Sequence, residues 1–368
     1  MPMSRVAARG AVAAIAAALM LGMMPTAQSV APLPTDPDRR CAWPVVYPGE
    51  ANYAWPDTNA AYINQAALIG KGEKVVISGR DPKARFWSIT TYNLEDREVI
   101  DRVNDVNVRR KSGAWSVTVS HRDIPGNPNS LKAAPLPGPG EQTTFRNVTV
   151  IMFRVYLSET GNYAGGKRPL VTLHHSDGTT ETLKPCRPDQ VGAPDNPLGL
   201  VPAEGVPSHF IRAEGGKFYP SHDTSYLAAQ VPYDPDRILL VTGKAPRVPR
   251  DVRYWSVCQN INGGDLPVID CASDRDVTLT DGRFAIAVVG PGQVPDRSLY
   301  PRVTFVEWAK GVSAEGLLDA FLIWRNVLPA KAFPYSVDKV PFDQPATSTM
   351  GEYAPVISHV TLEELGQY

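Results

Sequence analysis

The chain has 368 residues, enough for two domains with hydrophobic cores of their own. Hydrophobic residues at 43% and charged residues at 20% exclude an intrinsically disordered chain, and 37 basic against 38 acidic residues exclude the basic excess that nucleic-acid phosphates demand. The 35 prolines, about twice average usage, favour turns and edge strands over long helices.

In chain order, residues 1–29 read as a signal peptide. Arg5 and Arg9 precede the apolar run "GAVAAIAAALMLGMM", which is shorter than a bilayer-spanning helix, and Ala27 and Ser29 permit cleavage after Ser29. An uncleaved N-terminal anchor is the alternative. No comparable apolar run follows, so the chain after cleavage has no transmembrane segment and belongs in the cell envelope or outside the cell. Residues 30–51 form a mature N-terminal segment whose Cys41 lies too far from the apolar run to be a lipoprotein cysteine. Tyr53 and Trp55 stand just before the first strand pattern. Exposed, they make a stacking platform for sugar rings; packed, they seal the first domain, which is the commoner use of such aromatics.

From 52 to 190 the period is two. "KVVISG", "RFWSITTYN", "WSVTVS", "NVTVIMFRVYL" and "PLVTLHH" are short, rich in β-branched and aromatic residues, and bounded by Gly, Pro, Asn and Asp. On "RFWSITTYN" one face carries Phe86, Ser88, Thr90 and Tyr92, and the other Arg85, Trp87, Ile89 and Thr91. A Pro/Gly-rich stretch, 191–216, reads as a linker. Residues 217–330 supply "RILLVTG", "RYWSVCQN" and "RFAIAVV" as further strands, while "SAEGLLDAFLIW" (313–324) is ambiguous between helix and strand. Residues 331–368 read as an extended, proline-broken tail whose Thr361 caps one helical turn.

The two strand-rich stretches are copies. Aligning Trp87 with Trp255 pairs Arg85 with Arg253 and Ser88 with Ser256; further on, Asp101 meets Asp270, Asp105 meets Asp274 and Arg154 meets Arg325. Upstream, Gly79 meets Gly243, and "WPDTNAAY" (55–62) meets "YPSHDTSY" (219–226). Matches kept in one order over this length indicate duplication. The expected fold is mainly β: a tandem pair of jelly-roll-like antiparallel β-sandwiches with few short helices. Four cysteines in an exported chain point to disulfides. Cys258 and Cys271 flank a hairpin turn at Gly263-Gly264 and are paired; Cys41 and Cys186 then bracket the first domain.

"YPSHDTSYLAAQVPYDPDRILLVTG" followed by "VRYWSVCQN" resembles the paired domains of unknown function found in exported bacterial proteins. Those carry a Pro-x-x-Asp-Thr-x-Tyr strand start, an Arg-Tyr-x-Ser strand and a closing Arg-x-Tyr strand. Pro220, Asp223, Thr224, Tyr226, Arg253, Tyr254 and Ser256 match; copy one departs at Asp57-Thr58, and copy two at Asn326-Val327. The chain is also similar to secreted actinobacterial proteins of like length and unknown function. The resemblance implies a β-sandwich fold and an envelope or extracellular setting, and it brings no catalytic residues.

G-x-S-x-G, Walker A, Rossmann and H-E-x-x-H signatures are absent. His222 beside Asp223 is the best candidate for a general base with its orienting carboxylate, although an Asp at a strand start commonly holds its own backbone in an Asx turn. His174 and His175 are neighbours on one strand, point to opposite faces and do not share a metal. The Asp101/Asp105 and Asp270/Asp274 pairs suit solvated or salt-bridged turns better than calcium, so no metal and no cofactor are expected. Arg85, Arg154, Arg253 and Arg325 recur at equal places and suit a bidentate carboxylate partner, for which Asp101 and Asp270 are the natural choices; that structural reading is preferred, with Arg85 and Arg253 as binding residues for an anionic ligand in the alternative. The reading is an exported binding or structural module for a carbohydrate or envelope ligand; the alternative is an extracellular hydrolase working through His222 and Asp223 between the copies.

Overall fold

The computed structural model describes residues 41–47, 52–122, 124, 126–160, 162–187, 202–213, 219–308 and 319–368. Its first lobe contains β1 (Val45–Tyr47), β2 (Ala60–Leu68), β3 (Lys74–Arg80), β4 (Ala84–Asn93), β5 (Val99–Asn104), β6 (Arg110–Lys111), β7 (Ala114–Ser120), β8 (Ser130–Lys132), β9 (Val148–Ser158), β10 (Leu170–His174) and β11 (Thr180–Thr182). The second contains β12 (Thr224–Val231), β13 (Ile238–Lys244), β14 (Tyr254–Asn260), β15 (Val268–Ser273), β16 (Leu279–Thr280), β17 (Arg283–Val289), β18 (Thr304–Glu307), β19 (Ala320–Val327) and β20 (Val356–Val360), with the short helices α1 (Thr347–Met350) and α2 (Leu362–Leu365).

Each lobe is two sheets with a core between them. Lobe one pairs the sheet β1-β2-β9-β4-β5 with β11-β10-β3-β7-β6; lobe two pairs β12-β19-β14-β15 with β16-β17-β13-β20. Among the described strands, β8 against β7 and β18 against β17 run parallel, at matching places in the two lobes. The chain alternates between sheets at β2, β3 and β4, and again at β12, β13 and β14, which gives the jelly-roll-like winding in both copies.

Small features repeat as faithfully as large ones. A β-bulge falls between Thr91 and Tyr92 on β4 and between Gln259 and Asn260 on β14. Two-residue hairpins at Ser112-Gly113 and Asp281-Gly282 place both residues at positive φ, the type I′ geometry whose twist matches the flanking strands. Gly79 lies opposite Trp115, and Gly243 opposite Phe284; a Cβ on Gly243 would sit 2.9 Å from Cζ of Phe284, so the ring passes over the strand only because no side chain is there.

Both cores are built on a stacked indole. Trp87 stacks on Trp115 at 4.8 Å with Phe153 edge-on, and Trp255 stacks on Trp324 at 4.9 Å with Phe284 beside it. The aromatic trio occupies the same three strands in each copy, with Trp and Phe exchanged between the seventh and ninth strand positions. Trp87 and Trp255 are therefore equivalent in surroundings as well as in sequence.

The described parts of the stretches expected to flank lobe two belong to it. Residues 331–368 are not a tail: Phe333, Val337, Val340, Ala346, Met350, Tyr353 and Ala354 enter the core, and β20 completes a sheet by pairing with β13. Apolar residues spaced irregularly among prolines leave no period to read, yet an irregular backbone buries them as well as a strand does. Thr361 caps α2 in a reciprocal box with Glu364. Of the expected linker, Phe210 is buried in the core and Ile211 bridges to Ala228 and Pro345, whereas residues 191–201 and 214–216 lie outside the described residues. The described part of "SAEGLLDAFLIW" from residue 320 onward is strand β19; residues 313–318 lie outside the described residues. The signal-peptide residues 1–29 lie outside them too.

Disulfides join Cys41 to Cys186 and Cys258 to Cys271. The first ties the start of lobe one to its end. The second lies within the β14–β15 pair, where the two cysteines are direct register partners.

Candidate functional site

The strands β4 and β9 are buried on both faces, as are β14 and β19. One face of each looks into its own sandwich. The other looks across at the opposite lobe, where Tyr53, Tyr62, Phe86, Tyr92, Met152 and Tyr156 meet Tyr219, Tyr254 and Val327. The lobes thus pack sheet against sheet through a seam rich in tyrosine, and it is here that most of the sequence-selected residues converge.

The seam has an approximate two-fold pattern. In lobe one, Tyr62, Arg154, Ser88 and Asn104 form a row across four strands; in lobe two the row is Tyr226, Arg325, Ser256 and Ser273. Both arginines are buried. Arg154 Nη2 donates to the carbonyl of Tyr219 at 2.6 Å, and Arg325 Nη2 donates to the carbonyl of Trp55 at 2.7 Å, so each lobe's arginine grips the loop leading into the first long strand of the other. Trp55 and Tyr219 both adopt left-handed φ, 49° and 55°. A bulky residue pays roughly 1–2 kcal/mol for that conformation, and the fixed arginine opposite supplies the reason it persists.

The ion pairs at the rim are reciprocal too. Arg85 pairs with Asp274 in lobe two, and Arg253 pairs with Asp105 in lobe one at 3.5 Å. The expectation that Asp101 and Asp270 partner these arginines is corrected: Asp101 accepts from the amides of Arg102 and Lys132, and Asp270 from those of Cys271 and Glu307, each tying its strand to a neighbour. Burial raises Asp105 and Asp274 above the ordinary carboxylate range, with Arg253 and Arg85 working in the opposite direction. Arg85 and Arg253 are thus struts between the lobes.

His222 and Asp223 turn to different surroundings. Asp223 is buried, and its Oδ1 accepts from Arg102 Nε at 2.8 Å and Asn104 Nδ2 at 2.9 Å, both on β5 of lobe one. The His222 ring is exposed, and among the described residues no hydrogen bond joins it to Asp223. Partial burial and the charge of Arg102 lower its pKa, against the pull of Asp223. Ser221 is buried and its hydroxyl accepts from the Asp223 amide. The carboxylate that would orient a base is spent on joining lobes.

Tyr53 and Trp55 are packed as well. Trp55 stacks on Phe321 at 4.5 Å and donates from Nε1 to the carbonyl of Ile261, while Tyr53 is buried edge-on to Tyr219. Neither is an open sugar platform. Burial pushes Tyr92 up to about 12 and raises Tyr62, Tyr156 and Tyr254, so the seam phenols stay neutral.

Sequence reading missed Asp57. Fully buried, it accepts from Tyr254 Oη at 2.8 Å and Ser256 Oγ at 2.6 Å. Its carboxylate and the sulfurs of Cys258 and Cys271 lie within 4.8 Å of one another, but the sulfurs are joined in a disulfide and offer no thiolate to a metal. The available signal was that Asp57 follows a proline aligned with Pro220, while copy two places its carboxylate two residues later.

No family model and no curated protein matches the chain. Among solved structures, it is similar to an uncharacterized protein from Burkholderia cenocepacia at 14% identity and TM-score 0.53, over 88% of this chain and 83% of that one. It also matches a protein from Vibrio parahaemolyticus at 13% identity and TM-score 0.43, over 86% of this chain and 92% of that one. The first likeness extends across both lobes, and it shows that the arrangement of this chain is a fold shared with another bacterial protein.

Proposed function

We propose that this protein is an exported, extracytoplasmic module that binds an anionic polysaccharide or similar envelope polymer on the outer surface of a two-lobed β-body. The observation that carries this reading is a surface of lobe two that presents Tyr335 and two exposed arginines, with the buried Tyr353 and a Lys244 paired to Glu352 at 2.7 Å behind them. Tyr335, 43% exposed, stacks at 5.2 Å on Tyr353, and Lys244 Nζ lies 5.0 Å from the centre of the Tyr353 ring. The loop that follows Lys244 carries Arg247 and Arg250, both more than half exposed and sharing the single counter-charge of Asp251, and it is pinned to the tyrosine segment where the Ala330 amide donates to the Asp251 carbonyl. Flat aromatic faces suit the apolar faces of sugar rings, and surplus arginine suits their acidic groups.

Export is supported by the signal-like N-terminus and by two disulfides, which persist in oxidising compartments. Among the described residues no helix is long and apolar enough to cross a membrane. The hydrolase reading through His222 and Asp223 draws no support from the seam, because Asp223 serves Arg102 and Asn104.

Affinity electrophoresis of the disulfide-intact protein through neutral and anionic polysaccharides tests this. Retardation by an anionic polymer, lost at least tenfold in Tyr335→Ala and in Arg250→Glu, is the expected result. Binding that survives both substitutions, or turnover of ester or glycoside substrates abolished by His222→Ala, overturns it.

A further inference from the structure

The two halves of the seam differ in one charge. Asp57 and Ser221 occupy the same place: each follows a proline and stands five residues before the tyrosine whose register partner is the buried arginine. Asp57 therefore faces the Arg325 half and hydrogen-bonds Ser256, and its charge leads the influences that favour the Arg325 guanidinium against burial. In the Arg154 half the corresponding residue is a neutral serine. Asp223, the nearest carboxylate in the chain, is turned to Arg102 and Asn104. Among the described residues no carboxylate lies within ion-pair reach of Arg154, whose contacts are the Tyr219 carbonyl, Thr90 Oγ1 and the faces of Tyr62 and Tyr92.

Polar atoms without partners gather in the same half. Ser88 Oγ and Arg154 Nε are buried and have no hydrogen-bond partner, and the two residues are direct register partners on the seam face. Their counterpart hydroxyl, Ser256 Oγ, is the one that donates to Asp57. Thr224 Oγ1, at the start of β12, and Asp223 Oδ2, just before it, are orphaned as well; Asp223 Oδ2 is an acceptor, but its charge is met by Arg102. Arg325 keeps one unpartnered atom, Nη1, yet Arg325 has Asp57 as a counter-charge. Asp223 is met by Arg102 and leaves no carboxylate for Arg154, whereas Arg325 has the charge of Asp57 beside it. A buried cation is held with a counter-ion, and buried donors with acceptors.

We infer that the Arg154 half of the seam binds a small monovalent anion, of chloride size, against Arg154 Nε and Ser88 Oγ, where the Asp57 carboxylate stands in the other half. The near-complete burial of Ser88 and Arg154 restricts the ligand to an ion of a few atoms at most. This inference is independent of whether the outer face binds polymer.

The test is thermal melting of the disulfide-intact protein at constant ionic strength, exchanging bulky gluconate for chloride or bromide. The melting temperature rises with halide and saturates, by roughly 5 °C or more when the site is filled. Ser221→Asp places a carboxylate where Asp57 stands in the other half, raises the melting point in gluconate and removes the halide response; Asp57→Ser does the reverse and enlarges it. A wild-type melting point indifferent to halide, or a full halide response in Ser221→Asp, overturns the inference. Should a variant fail to fold, wild-type crystals grown in bromide decide the matter: an anomalous peak beside Ser88 and Arg154 supports it, and the lack of one refutes it.

Discussion

At Asp274 and Asp105, single carboxylates face a conflict between burial and a partner arginine, and burial prevails: both have pKa values raised above 3.8. A carboxyl that binds its proton more tightly when folded stabilises fully below its unfolded pKa and loses that contribution as pH rises through the folded value. Wild type should therefore lose stability relative to Asp274→Asn as pH rises from below 3.8 towards neutrality, as denaturation midpoints of the two proteins across that range would reveal. An opposite slope would mean that Arg85 outweighs burial. Neither residue's role was legible beforehand. The recurrence of Arg85 with Arg253 and of Asp105 with Asp274 was plain in the alignment, but a repeat says only that two positions are equivalent, and each arginine's partner lies in the other copy. Asp223 shows the same limit, since its neighbour His222 suggested chemistry and its real partners are 121 and 119 residues away.

The strands carry more of their fate in local pattern. Alternation on "RFWSITTYN" separates Trp87 and Ile89 from Phe86, Ser88 and Tyr92, and those two sets do face different surroundings. That both faces are covered follows from what lies outside the strand. The glycines of β3 and β13 are a sharper example. At Gly243 a methyl group would meet Phe284 and, at 3.0 Å, the backbone oxygen of Ala354, which cannot rotate away; at Gly79 it would meet only Trp115 and Pro169 side chains, at 3.2 Å and beyond. Gly243→Ala should cost about 1–3 kcal/mol by overpacking, and Gly79→Ala less, as urea denaturation of the two variants would measure. β20 lay beyond reading, because a five-residue run after irregular, proline-rich chain has no local mark of the sheet edge it fills.

Over the whole molecule, the lobes are joined by crossed loops, reciprocal arginines and a common apolar seam, so unfolding one exposes the other. Lobe one is further closed by Cys41–Cys186, which spans 145 residues. In the chain-entropy account a loop of that size is worth about 5 kcal/mol. Replacing Cys41 and Cys186 with alanine, with Cys258–Cys271 kept intact, should lower the urea midpoint accordingly, and, because the seam couples the lobes, fluorescence from tryptophans in both should shift in a single transition. Two separated transitions would show that the lobes unfold independently.

The amino-acid sequence alone determined the strand-rich class, the doubling of the fold and which positions correspond, because alternation, turn residues and internal repetition are local or self-referential signals. The tertiary structure alone decided that the copies pack sheet to sheet, that the arginines and aspartates bind across that junction, and that residues 331–368 complete the second lobe. These outcomes depend on desolvating one surface against another distant in the chain, and neither periodicity nor spacing encodes which surface that is.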